Sequence, residues 1–285
     1  MKNQLNPQLK DIHAALAAGT LIPYLGSGLL EQMPDCPVPD SPEKLAALMS
    51  TKVTVPHKIR KRLTAVAQFI ENFKHRKTVV DLMRQAFSAS VTPTSLQKSL
   101  AAHPNIPMIV DVWYDDAMRN ALNARTDWGQ VQGLSQAEHF GIWFQYYDAA
   151  GKAVVEETAD DWKTVLYQPI GAFAPAQNYL VSDSDYVEVL TEIDIQTPIP
   201  PLVQTLRRGR HFLFLGCRFN DQLQRTFARQ IIKRSSDQHW AVLEGVPTRN
   251  EQRFMAEYGI RQIDMPLAEF EAAFMPETAI ACTSV

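Results

Sequence analysis

The sequence predicts an α/β fold, one mainly parallel sheet with helices on both faces. Three observations predict it. Short apolar runs without polar alternation recur at 21–25, 106–112, 211–215, 239–243 and 260–265, as in strands buried on both faces. In the final third these runs alternate with helical stretches, which implies parallel strands joined by crossovers. From His57 to Thr92 there is neither Gly nor Pro, and apolar residues recur every three or four positions, so a helical block stands between two strands.

The elements follow in order. Leu5, Leu9, Ile12 and Leu16 have helical spacing, and Gly19 stops that helix. Leu21 to Leu25 is a strand leaving through Gly26-Ser27-Gly28. Residues 33–42, rich in Pro and Asp, form a loop. Ile59, Leu63, Val66, Ile70 and Phe73 mark one helix, and Val79, Val80, Met83 and Phe87 a second. A strand at 106–112 precedes a helix from Asp115 to Leu122. Ile142–Tyr147 and Ala153–Glu157, joined by Asp-Ala-Ala-Gly-Lys, read as a hairpin, and Lys163–Tyr167 as a strand. Helices are expected at 183–192, 200–208, 223–231 and 250–258, and the last ten residues as a frayed tail.

The 285 residues, 46% hydrophobic and 21% charged, suit one large globular domain that needs no disulfide or metal to hold its core. Net charge is −3, so a nucleic-acid partner is not expected. Cys36, Cys217 and Cys282 lack zinc-site spacing, the seven histidines are scattered, and an odd cysteine count argues against a secreted disulfide framework. The polar start is unlike a signal peptide, and no 18-residue apolar run exists. A cytoplasmic protein without metal or membrane span is expected.

A strand, a Gly-x-Gly turn and then a helix can cradle a pyrophosphate: glycine lets the backbone approach, and free N–H groups face the anion. A plain turn explains the same residues. Three later segments bear on the choice: Ile-Val-Asp-Val-Trp-Tyr-Asp-Asp-Ala-Met at 109–118, the stretch 165–190 containing Gln168-Pro-Ile-Gly, and Phe-Leu-Phe-Leu-Gly-Cys-Arg-Phe-Asn-Asp at 212–221. With Ile-Pro-Tyr-Leu-Gly-Ser-Gly in front, the series resembles the SIR2-like domains, bacterial relatives of sirtuins. Those domains show Gly-Ala-Gly-x-Ser, then Thr-Thr-Asn-Tyr-Asp, then His-Gly, then Gly-x-Ser-x-x-Asp.

The resemblance implies a Rossmann-like domain over 1–275, with a helical insertion at about 41–104, a hairpin insertion at about 140–160 and a tail at 276–285. It implies NAD or an ADP-ribose-type nucleotide as ligand, and Gly26, Ser27, Gly28, Trp113, Gly216, Arg218 and Asp221 as its binding residues. Tyr114 and Asp115 match the end of the Asn-Tyr-Asp motif, and Gly171 the glycine after the histidine. The departures are at the reacting groups. Trp113 stands where the family has its catalytic Asn, Ile170 where it has its His, Leu30 where the phosphate loop ends in Ser, and Cys217-Arg218 follow Gly216. Neither Trp113 nor Ile170 can take a proton, and losing one such group forfeits ~10²–10⁴ in rate.

The expectation is a catalytically inactive SIR2-like protein that acts as a sensor, through a protein partner or by self-association. The alternatives are an NAD-cleaving enzyme of the phage-defence type using Tyr114 and Asp115, and a ligand-free interaction protein. Three more groups carry two readings each. Asp111, Asp115 and Asp116 offer acid-base chemistry or a helix cap. Cys217 is either a thiol activated at a helix start or a buried cysteine. Arg225, Arg229 and Lys233 form a nucleic-acid-binding stripe or a solvated helix face. Trp143, Phe144, Tyr146 and Tyr147 offer at most two aromatics to a partner, because a hairpin buries the others.

Overall fold

In the computed structural model, residues 7–195 and 198–282 are described, with side chains except at 192–195 and 276–282. The strands are β1 (Leu21–Leu25), β2 (Met108–Asp111), β3 (Trp128–Gly133), β4 (Phe144–Asp148), β5 (Ala153–Val154), β6 (Thr164–Gln168), β7 (Gly171–Ala172), β8 (Asn178–Tyr179), β9 (His211–Leu215), β10 (His239–Val242) and β11 (Ile260–Ile263). The helices are α1 (Pro7–Ala17), α2 (Pro42–Lys52), α3 (Leu63–Lys74), α4 (Arg76–Ala86), α5 (Ser95–Ala102), α6 (Ala117–Leu122), α7 (Asp183–Ile195), α8 (Pro201–Leu206), α9 (Gln222–Ile232), α10 (Arg249–Glu257) and α11 (Leu267–Cys282). Leu5, expected on the first helix, lies outside the described residues.

Nine strands form one sheet in the order β11-β10-β9-β1-β2-β6-β3-β4-β5. Pairing is parallel from β11 to β3 and antiparallel through β4 and β5. The five expected strands are neighbours in this sheet, so the predicted fold class is the one observed. The expected hairpin closes one end as β4–β5. Central strand β1 tolerates Pro23 because its pairing with β2 begins only at Tyr24.

The strand side chains alternate between two layers. Ile22, Tyr24, Met108 and Val110 face a core shared with α2, α3, α4 and α9. Leu21, Leu25, Ile109, Leu213 and Leu215 face α1, α5, α6 and α11. Each layer buries apolar surface worth roughly 25 cal/mol per Å². Helix starts are capped as the sequence allows: Ser41 accepts from the Lys44 N–H, and Thr94–Gln97 and Thr248–Glu251 form capping boxes.

Three expectations are corrected. The insertion expected at 41–104 is not one unit. α2, α3 and α4 lie on one face, whereas Leu96, Leu100 and Ala101 of α5 pack on the opposite face, so α5 is the ordinary crossover into β2. The expected tail is helical as far as Cys282, since α11 runs on past residue 275, and 283–285 lie outside the described residues. A strand not expected at all, β3, lies between β6 and β4. Its Trp-Gly-Gln-Val-Gln-Gly sequence reads as loop, yet all six residues are buried.

The two glycines of β3 are packing devices. A Cβ on Gly129 would stand 2.2 Å from the Trp162 ring, and one on Gly133 2.1 Å from the Pro169 carbonyl oxygen. Gly129→Ala is therefore expected to destabilise the protein by about 1–3 kcal/mol through overpacking, seen as a lower urea midpoint. An unchanged midpoint would show that Trp162 swings away at no cost.

Candidate functional site

The predicted site residues converge on the carboxyl ends of β1, β2, β6 and β9. The chain leaves β1 for β2 on one side, and β9, β10 and β11 extend the sheet on the other. Ligands of open α/β sheets bind in such crevices. Here the crevice is filled by the protein's own chain. The turn after β1 is a 3₁₀ helix, Ser27–Gln32, and the turn after β9 lies directly against it. The Gly26 N–H donates to the Leu215 carbonyl at 2.9 Å and the Gly28 N–H to the Gly216 carbonyl at 3.0 Å. A Cβ on Gly26 would come within 2.5 Å of the Gly216 oxygen and 2.9 Å of the Cys217 sulfur, and one on Gly28 within 2.8 Å of the same oxygen. Gly216 itself has φ +64°, and a Cβ there would meet the Leu29 nitrogen at 2.5 Å. Three glycines thus allow two turns to nest. Ser27 is half-buried beside them.

Trp113 is 4% exposed. Its Nε1–H donates to the Pro39 carbonyl at 2.8 Å, and its ring packs edge-on against Phe87 of the α4 end and against Tyr114. The loop read from Pro and Asp content at 33–42 is therefore the cover over Trp113. Tyr114 is equally buried, and its hydroxyl donates to the Leu180 carbonyl at 2.7 Å. Ile170 is buried in the same apolar layer. Gly171 has φ +80° and lies against the Asn178 carbonyl, where β7 pairs with β8.

Two carboxyl groups are buried below this aromatic layer. Asp111 ends β2 and accepts the Trp113 N–H at 3.2 Å; Asp115 accepts the Ala117 N–H at 2.8 Å at the start of α6. Both are 4% exposed. Burial, then the neighbouring Asp115, pushes the Asp111 carboxyl well above its usual range. Burial pushes Asp115 up to about 6. Asp116 accepts the Val91 N–H instead, tying α6 to the loop before α5. Cys217 is held by sulfur contacts to the Tyr24 and Leu215 carbonyls, and burial, then Asp111, pushes its thiol up, the opposite of activation.

Arg218 is turned toward the start of α10. Its side chain is 54% exposed and its Nε lies 3.8 Å from Glu251, the capping carboxylate of α10. Asp221 is exposed and caps α9, accepting from the Leu223 and Gln224 N–H groups. Arg225 donates to the Phe219 and Asn220 carbonyls in the turn before α9.

Sequence reasoning missed Gln130 and Gln168, both buried at the end of the sheet. Arg119 donates to the Gln130 amide oxygen, and the Gln130 amide donates to Gln168 and to the Ala174 carbonyl. The Gln168 amide neighbours Asp111 and opposes its rise. A glutamine in a strand carries no period signal of its own, and only the register of β3 on β6 brings the two together.

The family model of the SIR2-like domain matches residues 107–263, more than half of the chain. The chain belongs to the SIR2-like domain family. No curated protein matches it. A solved structure described as the structural basis for the mechanism and regulation of Sir2 enzymes aligns over 98% of this chain and 98% of its own, at 11% identity and a TM-score of 0.41. Membership rests on the family model, and the structural likeness carries no further argument.

The matched region spans β2, β6 and β9 to β11 and leaves β1 with its turn outside. In this SIR2-like chain the turn's geometry does not fit the pyrophosphate of NAD. The N–H groups of Gly26 and Gly28 are taken by protein carbonyls, and the space beside the glycines holds the Gly216 turn. Among the described residues no cluster of three or more His, Cys, Asp or Glu could hold a metal, and no helix is long and apolar enough to cross a membrane.

Proposed function

We propose that this protein is a SIR2-like domain without NAD-cleaving activity, which acts through contact with a protein partner. One observation carries the reading: the crevice at the strand ends is occupied by the protein itself, by the nested Gly26 and Gly216 turns and by the indole of Trp113. Cleaving the nicotinamide–ribose bond needs a polar group on the sugar and a place for a cation-like transition state. Trp113 and Ile170 supply neither, and Tyr114 spends its hydroxyl on the Leu180 carbonyl.

A second reading rests on Asp115. A buried carboxyl raised to about 6 is poised as a proton acceptor near neutrality, if the loop over Trp113 were to lift. That reading is an NAD hydrolase using Asp115 as base. The two readings separate in one experiment. The pure protein at millimolar NAD is expected to release no nicotinamide above background, and calorimetry with NAD or ADP-ribose to show no binding heat. Release that disappears in Asp115→Ala while the fold persists would establish the hydrolase instead. Binding without release would make the protein a nucleotide sensor.

A further inference from the structure

The net charge of −3 conceals a strongly cationic segment. From Lys44 to Ile70 the chain has no Asp or Glu, yet it carries Lys44, Lys52, Lys58, Arg60, Lys61 and Arg62, with His57 among them. The turn between α2 and α3 displays most of these charges together. Val55 and Leu63 are buried and Ile59 packs against the same core, so residues four apart pin the turn. Lys52 at the end of α2, and His57, Lys58, Arg60, Lys61 and Arg62 between these anchors, are all exposed.

Among the described residues the charges of the turn have no acidic partner. Lys44 pairs with Asp40 at 2.6 Å, but among the described residues Lys52, Lys58, Arg60, Lys61 and Arg62 form no ion pair. Arg60 directs its Nε to the Val55 carbonyl, which fixes its stem and leaves its charge unbalanced. No acid stands in the first turn of α3. Like charges crowded in this way repel, and a polyanion relieves the repulsion.

We infer that the α2–α3 turn is a docking surface for the phosphate backbone of a nucleic-acid duplex. The side chains around it favour that partner. The turn holds no Phe, Tyr or Trp to stack on an unpaired base, its one ring being the imidazole of His57, and Phe73, 67% exposed, stands at the far end of α3. Among the described residues, the only large apolar side chain nearby and exposed is Leu48, one turn before Lys52, too little to anchor in lipid. Cations without stacking or wedge residues contact phosphates alone, so the binding is independent of base sequence and steeply salt-dependent.

The test is fluorescence anisotropy of the full chain with a labelled 30-base-pair DNA duplex of arbitrary sequence. With about four phosphates neutralised, raising NaCl from 50 to 200 mM is expected to lower affinity on the order of 10²-fold. The triple variant Lys58→Glu, Lys61→Glu, Arg62→Glu is expected to lose at least about tenfold at 50 mM salt and to flatten the salt slope. The melting temperature should stay near that of the wild type, since all three side chains are exposed. The control Arg229→Glu, Lys233→Glu, on α9 and at its C-terminal cap, should bind as wild type does. The inference is overturned if the wild type does not bind at 50 mM salt, or if the triple variant binds equally well. It is also overturned if phosphatidylserine vesicles bind the wild type while the duplex does not.

Discussion

Asp115→Asn is expected to stabilise the protein above pH 6, by on the order of 1–3 kcal/mol. The sign follows from the direction of the shift. In the unfolded chain the carboxyl titrates near its ordinary value, whereas in the folded protein burial holds it up to about 6. Between those two values the folded state binds more protons than the unfolded one, so wild-type stability falls as pH rises through that window and stays reduced above it. Asparagine keeps an acceptor for the Ala117 N–H at 2.8 Å and removes the ionisation. The same logic applies to Asp111, which is raised by burial and by Asp115, and Asp111→Asn keeps an acceptor for the Trp113 N–H. Urea unfolding at pH 4.5 and pH 8 decides the matter. The advantage of the variants over wild type should be small at the lower pH and larger at the higher. Destabilisation at pH 8 would mean that the ionised pair has a favourable partner.

Arg76→Ala is expected to cost about 3–5 kcal/mol, among the largest single losses in the molecule. Arg76 begins α4 and reaches three acids: Asp185 at 2.8 Å, Glu138 at 3.2 Å and Glu71 at 3.4 Å. It also donates to the Tyr179 carbonyl. Asp185 is 2% exposed and accepts from the Val181 and Ser182 N–H groups and the Ser135 hydroxyl as well. Removing the guanidinium leaves a buried carboxylate with neutral donors only. Asp185→Asn in the same background should recover part of the loss, because it removes that charge. If Arg76→Ala melts as wild type does, the acids are already solvated enough to stand alone.

The apolar runs at 21–25, 211–215 and 239–243 were legible because a strand buried on both faces needs no polar residue, and nothing else in the chain mimics that pattern. β3 was illegible for a related reason. Two of its six residues are glycines whose missing side chains are replaced by Trp162 and Pro169, and two are glutamines that bond to the loop after β6. Partners 30 or 40 residues away leave no local period. The candidate site divides in the same way. The sequence placed Trp113, Tyr114 and Gly216 at strand ends, and their meeting point follows from the sheet order. That Trp113 would donate to Pro39 and be roofed by the 33–42 loop depended on a contact across 74 residues. Asp221 and Arg218 were implied as ligand-binding residues by the family resemblance alone; in the structure one caps a helix and the other faces Glu251.

The nested turns bear on how such chains change over time. Gly26, Gly28 and Gly216 touch one another across the seam between β1 and β9, the two strands that join the halves of the sheet. A chain that gave up its nucleotide could replace a catalytic Asn or His freely, but it could not replace these glycines without prising the two halves apart. The packing of this seam alone therefore demands the three glycines, so their presence reports an intact seam whether or not a nucleotide binds.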